Sequence, residues 1–386
     1  MWEETSLEAR LRNSKFIIMA ATDCKEIDAN AENKCTMDLR GKPVVQHVLD
    51  ELLDLDVKNI YIIGPEKTLK RKLPYDSRVE VVQQSTNFSG NILAIAKNIR
   101  FNDNEIAVLL DGDSPFFNKD ALFYSLNNFN GCDISKSFVP SATMESYRDL
   151  MREIRYFYFQ ETTTKAGCIV LAKPNKIDIS RLYNIFQDLY DKRNASQFMT
   201  AAKIFWYIFN NFEKKEIFWA AKIFASKWSI EGDFRLGKKL FKPISIKEVE
   251  GFVAKYLGVG KAKAQINPYA EIAIDVDKPE IDLPLYEKNF DESKRRIKRE
   301  YDFFENIKEL HKNHPELFMT MLDSPNSISE VLEKKIIKDK FRGYEPVIEE
   351  IKKRAGAYMK QDLTTFRKKL KKFVELTAGM NYEKPK

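Results

Sequence analysis

Two short stretches of this 386-residue chain carry paired carboxylates at a spacing that suits a hard cation. In DGDSPFF (111–117) the apolar run IAVLL leads straight into Asp111 and Asp113. Residues two apart on a strand share a face, so both carboxylates could point one way. Gly112 would let the backbone turn tightly between them, and Pro115 would end the strand. A magnesium ion takes one or two carboxylates and completes its shell with phosphate oxygens and water. Ligand-free, the same stretch would serve as an acidic cap on a strand. In IDVDKPE (274–280) Ile274 and Val276 alternate with Asp275 and Asp277, which gives one apolar face and one acidic face. That pattern suits a half-buried strand with an acidic solvent side as well as it suits a metal site. The third feature is the long polar loop that ends at Lys34. It holds Lys25 and Lys34, either of which could neutralise a triphosphate, but it lacks the glycines that usually let backbone N–H groups approach phosphates. Lysines in such a loop are also commonly just solvated.

The elements that must position these residues follow from the hydrophobic pattern. KFIIMAA (15–21) reads as a buried strand, PVVQHVLDELLDLD (43–56) as a helix opened by proline, and NIYIIGP (59–65) as a second strand. The sequence then repeats this βαβ texture: VEVVQQ (79–84) is a strand, GNILAIAKNIR (90–100) a helix, and IAVLLDGD (106–113) an apolar strand ending in acid. Continuously apolar strands alternating with helices imply a parallel sheet covered on both faces. CDISKSFVP (132–140), IRYFYFQ (154–160), GCIVLAKP (167–174) and AEIAIDVDKPE (270–280) read as further strands. Residues 176–257 read as mainly helical and aromatic-rich, and the texture turns to charged helix after Leu285. The expected architecture is therefore α/β and Rossmann-like. A mostly parallel central sheet carries helices on both faces, with a C-terminal α-helical appendage. The expected divisions are an N-terminal segment (1–14), a main domain (15–285) with the aromatic-rich insertion at about 176–257, and a basic helical region (286–386). In open sheets of this kind ligands bind beyond the carboxyl ends of the strands, where the acidic motifs fall.

Composition excludes several classes. The four cysteines, Cys24, Cys35, Cys132 and Cys168, form no C-x-x-C pair, which points to free thiols in a reducing, cytoplasmic setting. Three histidines, His47, His311 and His314, leave little room for multi-histidine chemistry. The charged N-terminal stretch lacks the apolar core of a secretory signal, and no apolar run is long enough for a transmembrane helix. The net charge of +7 is concentrated after Glu287, where a lysine-rich helical surface could meet a phosphorylated ligand or an acidic partner, or simply be solvated.

Taken in order, these motifs resemble the MobA-like nucleotidyltransferase superfamily, which includes molybdenum-cofactor guanylyltransferase and sugar-phosphate nucleotidyltransferases. KCTMDLRGKPVVQHVLDEL resembles the family's phosphate-contacting lysine followed by Gly-Lys-Pro and a helix. The resemblance implies that Lys34 lies on the phosphates as a catalytic residue. GNILAIAKNI is similar to the segment after the base-reading strand and would place Ser89, Gly90 and Asn91 near the nucleotide. LLDGDSPFF resembles the family strand whose aspartate holds the metal, here Asp113, with Asp111 beside the nucleotide. IDVDKPE is similar to the late segment that supplies a second ligand, Asp275, with Asp277 as its neighbour. TTTKAGCIVLAKP resembles the acceptor-side strand, of which Gly167 fits the pattern. The family's first loop usually reads Leu-Ala-Gly-Gly or Leu-Ala-Ala-Gly. Here Met19-Ala20-Ala21-Thr22 would bring Ala20, Ala21 and Thr22 to the phosphates without glycine.

The resemblance implies a GT-A-type fold over 15–285 and a magnesium-dependent transfer of a nucleoside monophosphate from an NTP to a small phosphorylated acceptor. Arg155 is a candidate contact for the acceptor phosphate. No nucleic-acid partner is expected, and the C-terminal helices offer a surface for self-association. Two other readings stay open. One is a GT-A glycosyltransferase that uses Asp111-Gly112-Asp113 as its Asp-x-Asp motif. The other is a non-catalytic nucleotide-binding relative.

Overall fold

The computed structural model describes residues 7–21, 32–103, 105–144, 147, 150, 156–189 and 243–295. The chain divides into two compact units, Met1–Asn289 and Phe290–Lys386. The first unit carries an eight-stranded sheet and the helices α1 (Leu7–Arg12), α2 (Val44–Leu53), α3 (Glu66–Lys72), α4 (Phe88–Asn98), α5 (Lys119–Asn127), α6 (Ser141–Met144), α7 (Ile179–Leu189) and α8 (Ile246–Leu257). No helix among the described residues is long and apolar enough to cross a membrane.

The strands are β1 (Ser14–Met19), β4 (Ile60–Gly64), β5 (Val79–Gln83), β6 (Ile106–Asp111), β7 (Ile134–Pro140), β8 (Phe157–Tyr158), β9 (Thr163–Ala172) and β10 (Ala262–Ile266). Their spatial order is β10-β7-β9-β6-β1-β4-β5, with β8 added on β9. β1 pairs in parallel with β4 and β6, β4 with β5, and β10 with β7. β9 pairs antiparallel with β6, β7 and β8. Within this sheet β9 is thus the one strand that runs backwards, and its first residues stand at the edge where its neighbours end. A separate small hairpin, β2 (Asp38–Leu39) with β3 (Lys42–Pro43), leads into α2.

The core sits on both faces of β1, where Phe16, Ile17 and Ile18 are fully buried, as a central strand with neighbours on each side requires. α2 buries Val44, Val45, Val48, Leu49 and Leu52 at helical spacing. α3, α5 and β10 come from weaker patterns than the first βαβ units. The segment expected as a strand over 270–280 differs. It opens with a 3-10 turn at Ala270–Ala273, continues as extended chain, and enters a helix at Pro279. The apolar alternation holds nonetheless, because Ile274 and Val276 are buried while Asp275 and Asp277 face outward. Of the expected strand over 154–160, only Phe157–Tyr158 is laddered, and residues 154 and 155 lie outside the described residues. Most of the aromatic-rich insertion (190–242) and of the basic region (296–386) also lies outside the described residues.

Candidate functional site

The site forms where β1 and β6 end side by side. Met19 pairs with Asp111 in the parallel register, and the Gly112 N–H donates to the Met19 carbonyl at 3.0 Å. A Cβ at Gly112 would lie 3.0 Å from that oxygen and 3.2 Å from the Ala20 side chain. Gly112 thus lies in the turn expected from the sequence, directly after β6, and its missing side chain also allows the close approach of two strand ends.

Asp113 and Asp275 are brought together. The Val276 N–H donates to the Asp113 carbonyl at 2.9 Å. The Lys34 ammonium pairs with the Asp113 carboxylate and also donates to the Val276 carbonyl at 2.8 Å. From the far side, the Lys165 ammonium pairs with the Asp275 carboxylate and donates to the Ala273 carbonyl. The Tyr286 hydroxyl donates to the Asp275 carbonyl at 2.8 Å, and its ring meets Phe116 edge to face at 5.2 Å between centroids. Asp282 accepts from the N–H groups of Asp277 and Lys278 at 2.9 and 2.7 Å, fixing the chain as it enters the helix.

The electrostatics follow from this crowding. Burial pushes the Asp113 carboxyl up to about 6 against the pull of Lys34, with Asp111 and Asp275 adding to the rise. Asp111 is exposed, yet the protein packed around it pushes its carboxyl above the usual carboxylate range; Lys136 opposes that rise, Asp275 adds to it, and Lys34 and Lys165 oppose it. Asp277, also exposed, is raised by burial and by Asp275. Burial opposes the charge on Lys34, but the Asp113 carboxylate outweighs it and holds the ammonium firmly protonated. The Cys35 and Cys168 thiols border the same cluster and are pushed up by burial, so neither is a ready thiolate.

Other residues expected at the site fall around this core. Ala20 is fully buried, and its N–H donates to the Ile63 carbonyl at 2.8 Å. Ala21 is half-buried beside it; Thr22, Lys25 and Arg155 lie outside the described residues. Ser89, Gly90 and Asn91 stand at the start of α4, beyond the end of β5 and so two strands from β1. Their side chains shape the loop. Asn91 accepts from the Ser85 N–H at 2.7 Å, the Asn87 cap accepts from the Gly90 N–H at 2.9 Å, and a Cβ at Gly90 would collide with Ser85 Oγ at 2.1 Å. Gly167 lies beneath the 3-10 turn, where a Cβ would come within 2.7 Å of Ile272 Cδ1. It is buried there and makes room for that turn.

Two site residues escaped the sequence reading. Asn33 is buried and clamps the entry to Lys34: its side chain donates to the Ala20 carbonyl at 2.9 Å and accepts from the Cys35 N–H at 2.9 Å. The first loop thus leaves at Ala20 and is fastened back at Asn33, which delivers Lys34 to the cleft without glycine. Lys165 was missed because the carboxyl-end rule looks at where strands finish, whereas β9 runs backwards and contributes its beginning.

The donors gathered here are carboxylate and carbonyl oxygens, which hard cations prefer. Among the described residues no group of three or more His, Cys, Asp or Glu could hold a metal ion on its own. Two carboxylates, too few for a closed all-protein cage, are the kind of donor a magnesium ion takes when phosphate oxygens and water complete its shell. Acids and lysines thus converge beyond the parallel strand ends of an α/β sheet, where ligands bind in open sheets of this kind. More particularly, residues 17–144 match the model of the MobA-like NTP transferase domain, about a third of the chain. Asp275, Asp277 and Lys165 lie beyond the matched stretch.

The chain is 30% identical over 91 residues to a 3-deoxy-manno-octulosonate cytidylyltransferase of Coxiella burnetii, a match over 23% of this chain and 36% of that protein. It thus spans little more than a third of that relative's length. Among solved structures it resembles a hypothetical transferase from Thermus thermophilus, at 20% identity and TM-score 0.45, over 70% of this chain and 99% of the other. A 4-diphosphocytidyl-2C-methyl-D-erythritol synthase from Anaerococcus prevotii is similar at 11% identity and TM-score 0.39, over 72% and 99% of the two chains.

Proposed function

We propose that this protein is a nucleotidyltransferase that moves a nucleoside monophosphate from an NTP to a small phosphorylated acceptor with the help of magnesium. The observation that carries this reading is the bonding of the Asp113 and Asp275 segments to each other beside the Lys34 ammonium. An oxygen of the acceptor phosphate attacks the α-phosphorus, the bond between the α-phosphorus and its bridging oxygen breaks, and pyrophosphate leaves with the electron pair. Asp113 and Asp275 would hold the ion, with Asp111 and Asp277 nearby. When bound, magnesium offsets the charge that builds on the phosphate oxygens. Lys34, kept charged by Asp113, steadies the triphosphate and then the departing pyrophosphate. An acceptor phosphate is already a competent nucleophile and needs no general base. His47, in α2, bonds the Leu39 carbonyl through Nε2 at 2.9 Å.

The name of the Coxiella relative makes CTP the first donor to test. The test is thermal unfolding of the protein with each NTP and with nucleotide-sugars, with and without magnesium. One NTP should stabilise in a magnesium-dependent way, by about 2.7 kcal/mol at a hundredfold excess over its Kd. Asp113→Asn should lose that shift while keeping its own fold. Stabilisation by nucleotide-sugars alone would move the reading to glycosyl transfer through Asp111-Gly112-Asp113. Stabilisation by none of the ligands would leave a non-catalytic relative.

A further inference from the structure

The charge arrangement in the cleft contains more than nucleotide chemistry requires. Lys34 reaches Asp113 from the first loop, on the side that the first strand and Asn33 define. Lys165 reaches Asp275 from β9, on the other side. Both lysines also bind the same short strap through its carbonyls, at Val276 and Ala273. The Lys165 side chain is 13% exposed and that of Asp275 is 32% exposed, so the pair is partly buried and Asp275 stays within reach of solvent. Lys165 also acts electrostatically on Asp111 and Asp277. Its ammonium therefore stands where a second cation would compete with it for Asp275. If a divalent cation takes that carboxylate, Lys165 loses its charged partner, keeps the Ala273 carbonyl, and is repelled on a flexible four-carbon stem.

We propose that Lys165 is an exchange residue. It holds Asp275 before a divalent cation binds, and it turns to the acid group of the acceptor once a cation has taken Asp275. This rests on the nucleotidyltransferase reading and deepens it. It assigns the acceptor an anionic group, phosphate or carboxylate, on the β9 side of the cleft. It also makes cation and acceptor binding cooperative through one side chain. By linkage, an anion that draws Lys165 away must strengthen cation binding by the factor with which the cation strengthens anion binding.

The experiment is Mn2+ titration followed by electron paramagnetic resonance, which counts free Mn2+ and needs no turnover. It is run on the full chain and on Lys165→Gln and Lys165→Arg, each alone, with inorganic phosphate, and with acetate. Thermal melts of both variants check folding. Lys165→Gln removes the competitor, so Mn2+ should bind more tightly, on the order of tenfold. In the unaltered protein one of the two anions should tighten Mn2+ binding. That gain should vanish in Lys165→Gln and persist in Lys165→Arg, and the anion that works tells a phosphate acceptor from a carboxylate one. Mn2+ binding that is unchanged or weaker in Lys165→Gln, or an anion effect that survives there, would overturn the exchange and leave the function standing. If neither protein binds Mn2+ even with NTP, the metal-dependent function fails, and the exchange fails with it.

Discussion

The two halves of the cleft are built by different means. On one side, β1, β4, β5 and β6 form a run of parallel strands joined by helices, with β6 returning to pair with β1. Its hydrogen bonds come from the sheet and its glycines serve close approach. On the other side, the strap from Ala270 to Asp277 belongs to no strand. It is held by a backbone bond to Asp113, two lysine ammoniums, the Tyr286 hydroxyl and the Asp282 side chain. A parallel sheet can build half of an acidic site from local pattern alone. The other half must be tied on by long-range polar contacts, so charge-altering changes should harm the two halves unequally.

The largest effect is expected where the halves meet. Lys34→Ala removes the ammonium that joins Asp113 to the Val276 carbonyl. Turnover with the preferred NTP should fall by a factor of about 10²–10³, the usual cost of one preorganised donor to a developing charge. Steady-state kinetics measures this, and a fall of less than threefold would separate Lys34 from the phosphates. Next is Asn33→Ala, which leaves Lys34 in place but frees its tether. Losing a buried side chain that donates to the Ala20 carbonyl and accepts from two backbone N–H groups should cost about 1–3 kcal/mol of stability. Activity should fall as well, because Lys34 loses its aim. Denaturant melts and kinetics together decide whether both move.

How far the sequence carries a reader follows the same division. Asp111 and Asp113 were legible because a buried strand runs straight into them. Asp275 was legible because apolar alternation survives in an extended chain, even though the strand it suggested is absent. Asn33 was not legible: its main bond reaches back thirteen residues to Ala20, and a polar residue at the end of a polar loop carries no mark. Lys165 was hidden by strand direction, which pattern does not reveal. The glycines matched to family positions, Gly90 and Gly167, proved to be steric necessities, one under Ser85 and the other under Ile272.

A buried acid tests the tied-on half through pH. Glu271 lies in the 3-10 turn, 2% exposed, and accepts from the Asn118 side chain that also caps α5. Burial pushes its carboxyl up to about 8, while its Asn118 bond opposes the rise and Asp120 and Glu51 add to it. A folded-state value above the unfolded one means that the folded protein binds the extra proton. The associated stability is whole below the unfolded value of about 4.5 and is lost as pH rises through about 8. Melting temperature should therefore drop between pH 5 and 8. Glu271→Gln, which keeps an oxygen facing Asn118, should flatten that slope and melt higher at pH 8. An unchanged slope would mean that Glu271 does not titrate as its burial demands.

The smallest effect belongs to the locally built half. The hairpin β2–β3 turns at Arg40 and Gly41, both at positive φ (58° and 76°), the backbone that two-residue hairpins favour. A Cβ at Gly41 would meet nothing within 4 Å, so Gly41→Ala is a test of backbone conformation and nothing else. The expected cost is about 1 kcal/mol, from the left-handed backbone alone. The turn is also braced by Asp38, which accepts from the Gly41 N–H at 3.0 Å, and this bond survives the substitution. Turnover should be unaltered, since Asn33 fixes Lys34 before the chain reaches the hairpin. If Gly41→Ala instead lowered activity as much as Asn33→Ala, the hairpin would be setting the position of Lys34. The parallel half would then depend on tethering as heavily as the strap does.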